Sequence, residues 1–334
     1  MFYFIADFGI YNLVSSLSLL SNNIYDEMNK NDILLLGGDN FYPMGVEKND
    51  DLDKFGKFFN KYNNNIYGVL GNHDYFGRIK YQMIGNKYFK IPNHYYKLNQ
   101  NNIDVYMIDT TLISPISDTN LFDVLGNIDS NRLFDIMSNK KTSNDKKISN
   151  VRNFLFKKRR ELLEWLDINM NYSKKNNKKI IVIGHYPIFS YGTYEFQNKE
   201  NVCLKHLIPL FLKHKVNSYI SGHDHSNQHF KIPAKKLLNI FNSILLTLDD
   251  DLVFIDKILT DISKNNNLFN FNLNSFICGT SVQKYNVYNN KKDDICKINN
   301  VNFNCYLKIF EDGDKIHINY IDSVDKKIKF NIIV

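Results

Sequence analysis

Five short apolar runs in this chain each stop at a cluster of metal-binding residue types, and that coincidence restricts the fold more than any other feature of the sequence. The runs are Phe2 to Ala6, Ile33 to Leu36, Ile66 to Leu70, Ile180 to Ile183 and Ser218 to Ile220. The clusters are Asp7-Phe8-Gly9, Gly38-Asp39-Asn40-Phe41-Tyr42, Gly71-Asn72-His73-Asp74, Gly184-His185-Tyr186-Pro187 and Gly222-His223-Asp224-His225. Short, apolar and bounded by glycine or polar residues, the runs read as buried strands. Side chains at the ends of such strands can converge on one cleft.

Between these runs the apolar period changes from strand to helix. Leu13, Leu17, Leu20, Ile24 and Met28 form a stripe over 12–28, and similar patterns cover 52–62, about 155–170 and 204–215. Strand and helix alternate, as in an α/β protein with a largely parallel first sheet. Near the end Phe303, Cys305, Leu307 and Ile309 alternate with polar residues, and Ile316, Ile318 and Tyr320 alternate again after Glu311-Asp312-Gly313-Asp314. That is a β-hairpin in a half-covered sheet. Tyr106 to Ile108 and Phe276 to Cys278 supply further strands. The expected architecture is a four-layer αββα sandwich of two mixed β-sheets flanked by helices. The ligand clusters must meet, so 1–334 is expected to be a single domain. Two Asn-rich, Lys-rich stretches, at about 114–153 and 231–274, read as insertions.

Bulk properties set outer bounds. A chain of 334 residues with 43% hydrophobic and 14% aromatic residues can bury a large core. No run approaches the roughly 20 apolar residues that span a bilayer. The net charge of +7 favours anionic ligands, but the lysines come mixed with asparagine, and no nucleic-acid partner is expected. Cysteines 203, 278, 296 and 305 lack Cys-x-x-Cys spacing, which argues against a zinc ribbon or thioredoxin-type centre and leaves disulfides open. Met1 runs directly into the first strand without a secretory signal, so the chain reads as cytosolic or as a mature or trimmed form. The sequon Asn171-Tyr172-Ser173 does not decide the compartment in a chain so rich in Asn.

Two metals sharing one site need a bridging carboxylate, further ligands on each ion and open positions for water and substrate, at a separation of about 3.5 to 4 Å. Asp39 is the natural bridge. With the five clusters in this order, the chain resembles the calcineurin-like metallophosphoesterase superfamily, and within it the purple acid phosphatases of the small, tartrate-resistant type. The likeness extends to Arg160-Glu161-Leu162-Leu163-Glu164-Trp165-Leu166, Ile108-Asp109-Thr110 and Cys278-Gly279-Thr280. Most of that superfamily carries His two residues after the first Asp, where this chain has Gly9. Tyr42, three residues after Asp39, takes over that ligand as in the purple acid phosphatases.

The resemblance implies an acid phosphatase that hydrolyses phosphomonoesters by in-line attack of a metal-bound hydroxide. It implies Fe(III) held by Asp7, Tyr42 and His225, a divalent ion (Fe, Zn or Mn) held by Asn72, His185 and His223, and Asp39 between them. The ions would bring +5 and their anionic ligands −3, leaving a site of about +2 that attracts phosphate. His73 would act as general acid, with Asp74 fixing its tautomer. The expected partner is a phosphate-ester substrate, either a small molecule or a phosphoprotein, acted on by a monomer. In the small mammalian-type members a second His follows the Gly-His-Tyr-Pro motif, but the region of Tyr194 has none, so the outer pocket and acid optimum do not carry over.

Other readings compete with these assignments. A phosphodiesterase or nucleotide hydrolase would use the same core constellation, and a non-catalytic scaffold could keep the fold and bind partners through its insertions. His94, His206, His214, His229 and His317 carry no motif and read as surface or locally satisfied. Asp109 reads as a strand cap, Lys157-Lys158-Arg159-Arg160 as a solvated helix face. Tyr75, Tyr95, Tyr96 and Tyr191 fit cleft rim and core equally.

Overall fold

The computed structural model describes every residue except 10–13, 63–64, 85, 114–120, 139–142, 193–205, 245–251, 264–269, 280–293 and 301–302. The apolar runs form strands where expected. β1 (Phe2–Ile5), β2 (Ile33–Leu36) and β3 (Ile66–Gly68) lie parallel, joined through α1 (Val14–Glu27) and α2 (Asn49–Phe59). Ile33 to Leu36 is almost wholly buried, as a parallel strand covered on both faces must be. In α2, Leu52, Phe55 and Phe59 recur at helical spacing and turn inward, while the Asp51 carboxylate accepts the amides of Glu47 (3.1 Å) and Lys48 (3.3 Å) at its start.

Short helices α3 (Asn72–Phe76) and α4 (Lys80–Met83) lead to the antiparallel pair β4 (Tyr95–Gln100) and β5 (Ile103–Ile108). α5 (Leu121–Ile128), α6 (Ser130–Ser138) and α7 (Asn144–Lys175) precede β6 (Lys179–Ile183), α8 (Leu207–His214) and β7 (Ser218–Ser221). Then come β8 (Asn227–Pro233), α9 (Ala234–Ile244), α10 (Leu252–Ser263), β9 (Asn272–Cys278) and β10 (Cys296–Asn300). A meander follows: β11 (Cys305–Asp312), β12 (Lys315–Asp322) and β13 (Ile328–Ile333). Its first turn is Gly313-Asp314, with Gly313 at φ 56°, a left-handed conformation that glycine adopts without steric cost.

These strands build two mixed sheets, ordered β13-β12-β11-β1-β2-β3 and β10-β8-β9-β7-β6-β5-β4. Three apolar layers hold them. Phe4, Leu35, Ile183, Ile220, Phe276 and Leu307 belong to the layer between the sheets. Tyr3, Leu36, Leu20 and Phe55 pack the first sheet on its helices, and Val182, Tyr219, Leu166 and Phe211 do so for the second. The result is the four-layer αββα sandwich. The five metal-ligand clusters all follow the C-terminal ends of parallel strands, β1, β2, β3, β6 and β7.

The two stretches read as insertions take part in these layers. Leu125 and Ile136 join the first sheet's helical layer, and Leu237, Phe241, Ile255 and Ile258 join that of the second. On α9, Lys235, Asn239 and Asn242 lie on the exposed side, opposite Leu237 and Phe241. The basic run on α7 departs from expectation at one residue. Lys158 and Arg160 pair with Glu161 and Glu164 on the surface, but Arg159 turns inward to 4% exposure against Phe156.

Among the motif-free histidines, His214 bonds Asp167 at 2.6 Å and His317 stacks on Phe310. His229 is buried between the sheets, stacked on Phe276 and bonded to Asn274 at 3.1 Å. Burial, opposed by the Asn274 bond and aided by Lys231 and Lys297, pushes its imidazole down to about 4. A base whose pKa is depressed on folding contributes stability above its unfolded value of about 6.5, and that stability is lost as pH falls towards 4. Urea midpoints should therefore drop between pH 6.5 and 4 by the equivalent of about 3 kcal/mol. In His229→Gln this part of the profile should flatten; an unchanged profile would show that His229 does not set it.

Candidate metal centre

The clusters reach one point because their backbones turn sharply at the strand ends. Asp7, Asp39 and His223 all adopt left-handed φ values, 55°, 51° and 66°. Such conformations are uncommon for residues with a Cβ and concentrate at functional sites. The turns are cross-tied, Asp7 N donating to the Gly38 carbonyl (3.2 Å) and Gly222 N to that of His185 (3.1 Å). Gly71 has no room for a side chain: a Cβ there would lie 2.2 Å from Asp39 Oδ1.

Two groups of side chains converge, and Asp39 belongs to both. The Tyr42 hydroxyl lies 2.7 Å from Asp39 Oδ2, 3.2 Å from Asp7 Oδ1 and 3.1 Å from His225 Nε2. Asn72 Oδ1 lies 3.1 Å from His185 Nε2 and 3.0 Å from His223 Nδ1, and His185 Nε2 stands 3.4 Å from Asp39 Oδ1. One carboxylate oxygen thus faces each group. Ligand atoms of Asp39, His185 and His223 all fall within 4.8 Å of one another, and these residues are buried.

The surroundings fix which ring atoms face inward. His185 Nδ1–H donates to the Gly37 carbonyl (2.9 Å), turning Nε2 to the centre, the arrangement common for metal-binding histidines. Thr110 Oγ1 accepts the amides of His185 (3.2 Å) and Tyr186 (3.0 Å), holding that turn. His223 N donates to Asp7 Oδ2 (2.9 Å). Charges follow from this packing. Burial opposes ionisation of Asp39, yet His185, His73 and His223 hold its carboxyl well below the usual range. Burial would lower the His185 imidazole, but Asp39 raises it to about 10. Burial together with Asp39 and Asp7 pushes the Tyr42 phenol well up.

This donor set fits a pair of cations. It gathers two carboxylates, a phenol, an amide oxygen and three imidazoles around two points with a shared carboxylate, and the protons on Tyr42 and His185 are those that cations displace. Gly9 and Tyr42 are structurally linked. Tyr42 N donates to the Gly9 carbonyl (2.8 Å), and a Cβ on Gly9 would lie 2.1 Å from the Asn40 carbonyl oxygen and 2.6 Å from the Phe41 amide nitrogen.

The relation expected between His73 and Asp74 is corrected. His73 Nδ1–H donates to the Pro43 carbonyl (2.7 Å), its ring lies 4.2 Å from that of Tyr42, and its amide donates to Asp39 Oδ1 (2.9 Å). Asp74 points the other way, fully buried. It accepts from Gly71 N (2.8 Å), Asn40 N (3.1 Å), Phe41 N (3.3 Å) and Gln82 Nε2 (2.9 Å). Burial and the neighbouring Asp39 raise its carboxyl to about 7 against the pull of these donors. Asp74 ties the loops of β2 and β3 together and does not set the His73 tautomer.

Asp109 caps the short turn after β5 by accepting Thr111 N (3.0 Å), and it also holds His94 (2.8 Å) and the Tyr75 hydroxyl (2.6 Å). Tyr75 and Tyr191 are core residues, Tyr95 packs on Trp165, and the Tyr96 hydroxyl binds the Gly68 carbonyl. The region of Tyr194 lies outside the described residues. Sequence reasoning missed Gln82 and the linking role of Asn40, whose Nδ2 donates to Val69 O (3.0 Å) and Gln82 Oε1 (3.2 Å). Asn40 sits inside the Gly-Asp-Asn cluster and could have been found there, whereas Gln82 carries no motif.

The chain is similar to known proteins in both sequence and fold. The calcineurin-like phosphoesterase profile matches residues 2–227. The pig (Sus scrofa) tartrate-resistant acid phosphatase type 5 is 28% identical over 215 residues, 60% of this chain and 54% of that protein. The chain spans about half the length of the curated relatives it matches. Two solved structures share the fold across 99% of this chain. One is a purple acid phosphatase from yellow lupin seeds (TM-score 0.60, 11% identity, 53% of that chain). The other is GAP50, described as the anchor in the inner membrane complex of Plasmodium (TM-score 0.59, 17% identity, 87% of that chain).

Proposed function

Because this chain belongs to the calcineurin-like phosphoesterase family, we propose that it is a two-metal phosphatase acting on phosphomonoesters. In this reading Asp7, Tyr42 and His225 hold Fe(III), Asn72, His185 and His223 hold a divalent ion (Fe, Zn or Mn), and Asp39 bridges. The observation that carries it is the division of the Asp39 carboxylate, Oδ2 towards the Tyr42 group and Oδ1 towards the His185 group. The buried phenol of Tyr42, between two carboxylates, gives up its proton only to a strongly charged ion, which favours a trivalent one at that point. Bound there, the ions would polarise phosphoryl oxygens and activate water.

The chain's own residues orient and move protons. Asp39 and Asp7 supply the anionic frame, and Gly37 and Thr110 hold His185. With Nδ1–H committed to Pro43, His73 has Nε2 left to deliver a proton to the leaving alkoxide of a small-molecule or protein phosphate ester. The anchoring described for GAP50 is the second reading, supported by the likeness in fold across nearly the whole chain. A complete donor set favours catalysis over it.

Elemental analysis, absorption spectroscopy and a panel of mono- and diesters test the proposal. Natively purified protein is expected to carry two metal ions, one of them iron, to be coloured, and to prefer monoesters. Tyr42→Phe should lose the visible charge-transfer band. A colourless protein with two divalent ions would remove Fe(III) but not the paired site, and a native protein without metal would leave the anchoring reading.

A further inference from the structure

We propose that Cys278 and Cys305 are joined by a disulfide that staples the two sheets together behind the metal-ligand cluster. Cys278 closes β9 in the seven-stranded sheet, and Cys305 opens β11 in the six-stranded one. Both belong to the apolar layer between the sheets, both are fully buried, and their sulfurs lie 2.9 Å apart, well inside non-bonded contact. The next residue, Gly279, backs the ligand loops. A Cβ there would lie 2.4 Å from the Asp224 carbonyl oxygen and 3.1 Å from Asp7 Oδ2. A covalent tie at Cys278 therefore fixes the separation of the sheets where Asp7 and the 222–225 turn meet. Cys296, on β10, is also buried, but its sulfur faces the Ile298 carbonyl (3.3 Å). Cys203 lies outside the described residues.

The oxidant is a small-molecule disulfide such as oxidised glutathione. One cysteine thiolate attacks it, releasing one glutathione thiolate and forming a mixed disulfide. The second cysteine thiolate attacks the protein sulfur of that intermediate and releases the second glutathione. Two protein thiols give up two protons and two electrons, and one disulfide becomes two thiols. Neither sulfur is reachable in the folded interior, so the bond forms as the sheets close. It spans 27 residues of sequence, a loop long enough for the cross-link to restrict the unfolded chain appreciably.

The test is covalent and depends on neither metal nor activity, so it stands apart from the phosphatase reading. Full-length protein is refolded in a glutathione redox buffer, unfolded with N-ethylmaleimide, and digested without reductant. The expected product is a linked peptide pair carrying Cys278 and Cys305, lighter than the two free peptides by two hydrogens and separated by dithiothreitol. The same protein should melt about 5 °C above protein refolded with dithiothreitol, a difference absent from Cys278→Ser/Cys305→Ser. Maleimide on both residues, or either one linked to Cys203 or Cys296, overturns the proposal. Should the double variant fail to fold, the peptide map of the unmodified sequence decides alone.

Discussion

Asp39→Asn is expected to lower phosphomonoesterase kcat/KM by at least about a thousandfold and to empty both metal positions, with the fold retained by circular dichroism. The size of the effect follows from the shared carboxylate. Other donors each serve one group, whereas Asp39 gives Oδ2 to the Tyr42 side and Oδ1 to the His185 side. An amide offers a single oxygen, turns an NH2 towards the other group, and removes a charge from a site proposed to hold two cations. The high pKa of His185 also depends on Asp39 and should fall towards the ordinary range. Metal per chain and activity should drop together; a variant with two ions and near-normal turnover would exclude the bridging role. His225→Ala, by contrast, touches one group and should leave the other able to bind.

The largest loss of stability is expected at Asp74, which the proposed chemistry does not use directly. Asp74→Leu removes the acceptor for the amides of Gly71, Asn40 and Phe41 and for the Gln82 side chain, all buried. Each unmet buried donor costs about 1–3 kcal/mol, and the costs are not additive, so a loss of about 4 kcal/mol is expected in denaturant titration. Since Asp74 links the loops carrying Asp39 and Asn72, metal affinity should fall with it. Asp74→Asn should lie between the leucine variant and the unmodified chain, because its oxygen still accepts while its NH2 meets donors. If Asp74→Leu is as stable as the unmodified chain, the tie between the loops is not a structural one.

Asp74 also shows where sequence and structure part. Adjacent to His73, it reads as its partner, but neighbouring positions on a helical turn point about 100° apart, so one faces inward when the other faces the cleft. The residues that converge on the candidate site were legible for the opposite reason. Asp7, Asp39, Asn72, His185 and His223 each follow an apolar strand by a few residues, and strand order carries them to one edge of the molecule. The hairpin around Gly313 and the stripe of α1 were legible from period alone. The helices α9 and α10 were not, because Asn and Lys on the outer face of α9 and the polar residues that flank α10 in sequence masked the apolar residues Leu237, Phe241, Ile255 and Ile258. Gln82 was invisible because its meaning comes only from the two loops it bridges.

The closeness of Gly9 to the 40–42 loop has a consequence for how such sites can change. A side chain at position 9 and a loop that delivers Tyr42 compete for the same volume, since a Cβ there would overlap the Asn40 carbonyl. Imidazole at 9 and phenol at 42 are therefore alternatives, and no intermediate sequence can hold both without rerouting the backbone. Admitting a side chain at position 9 therefore requires the 40–42 loop to move, and Tyr42 with it.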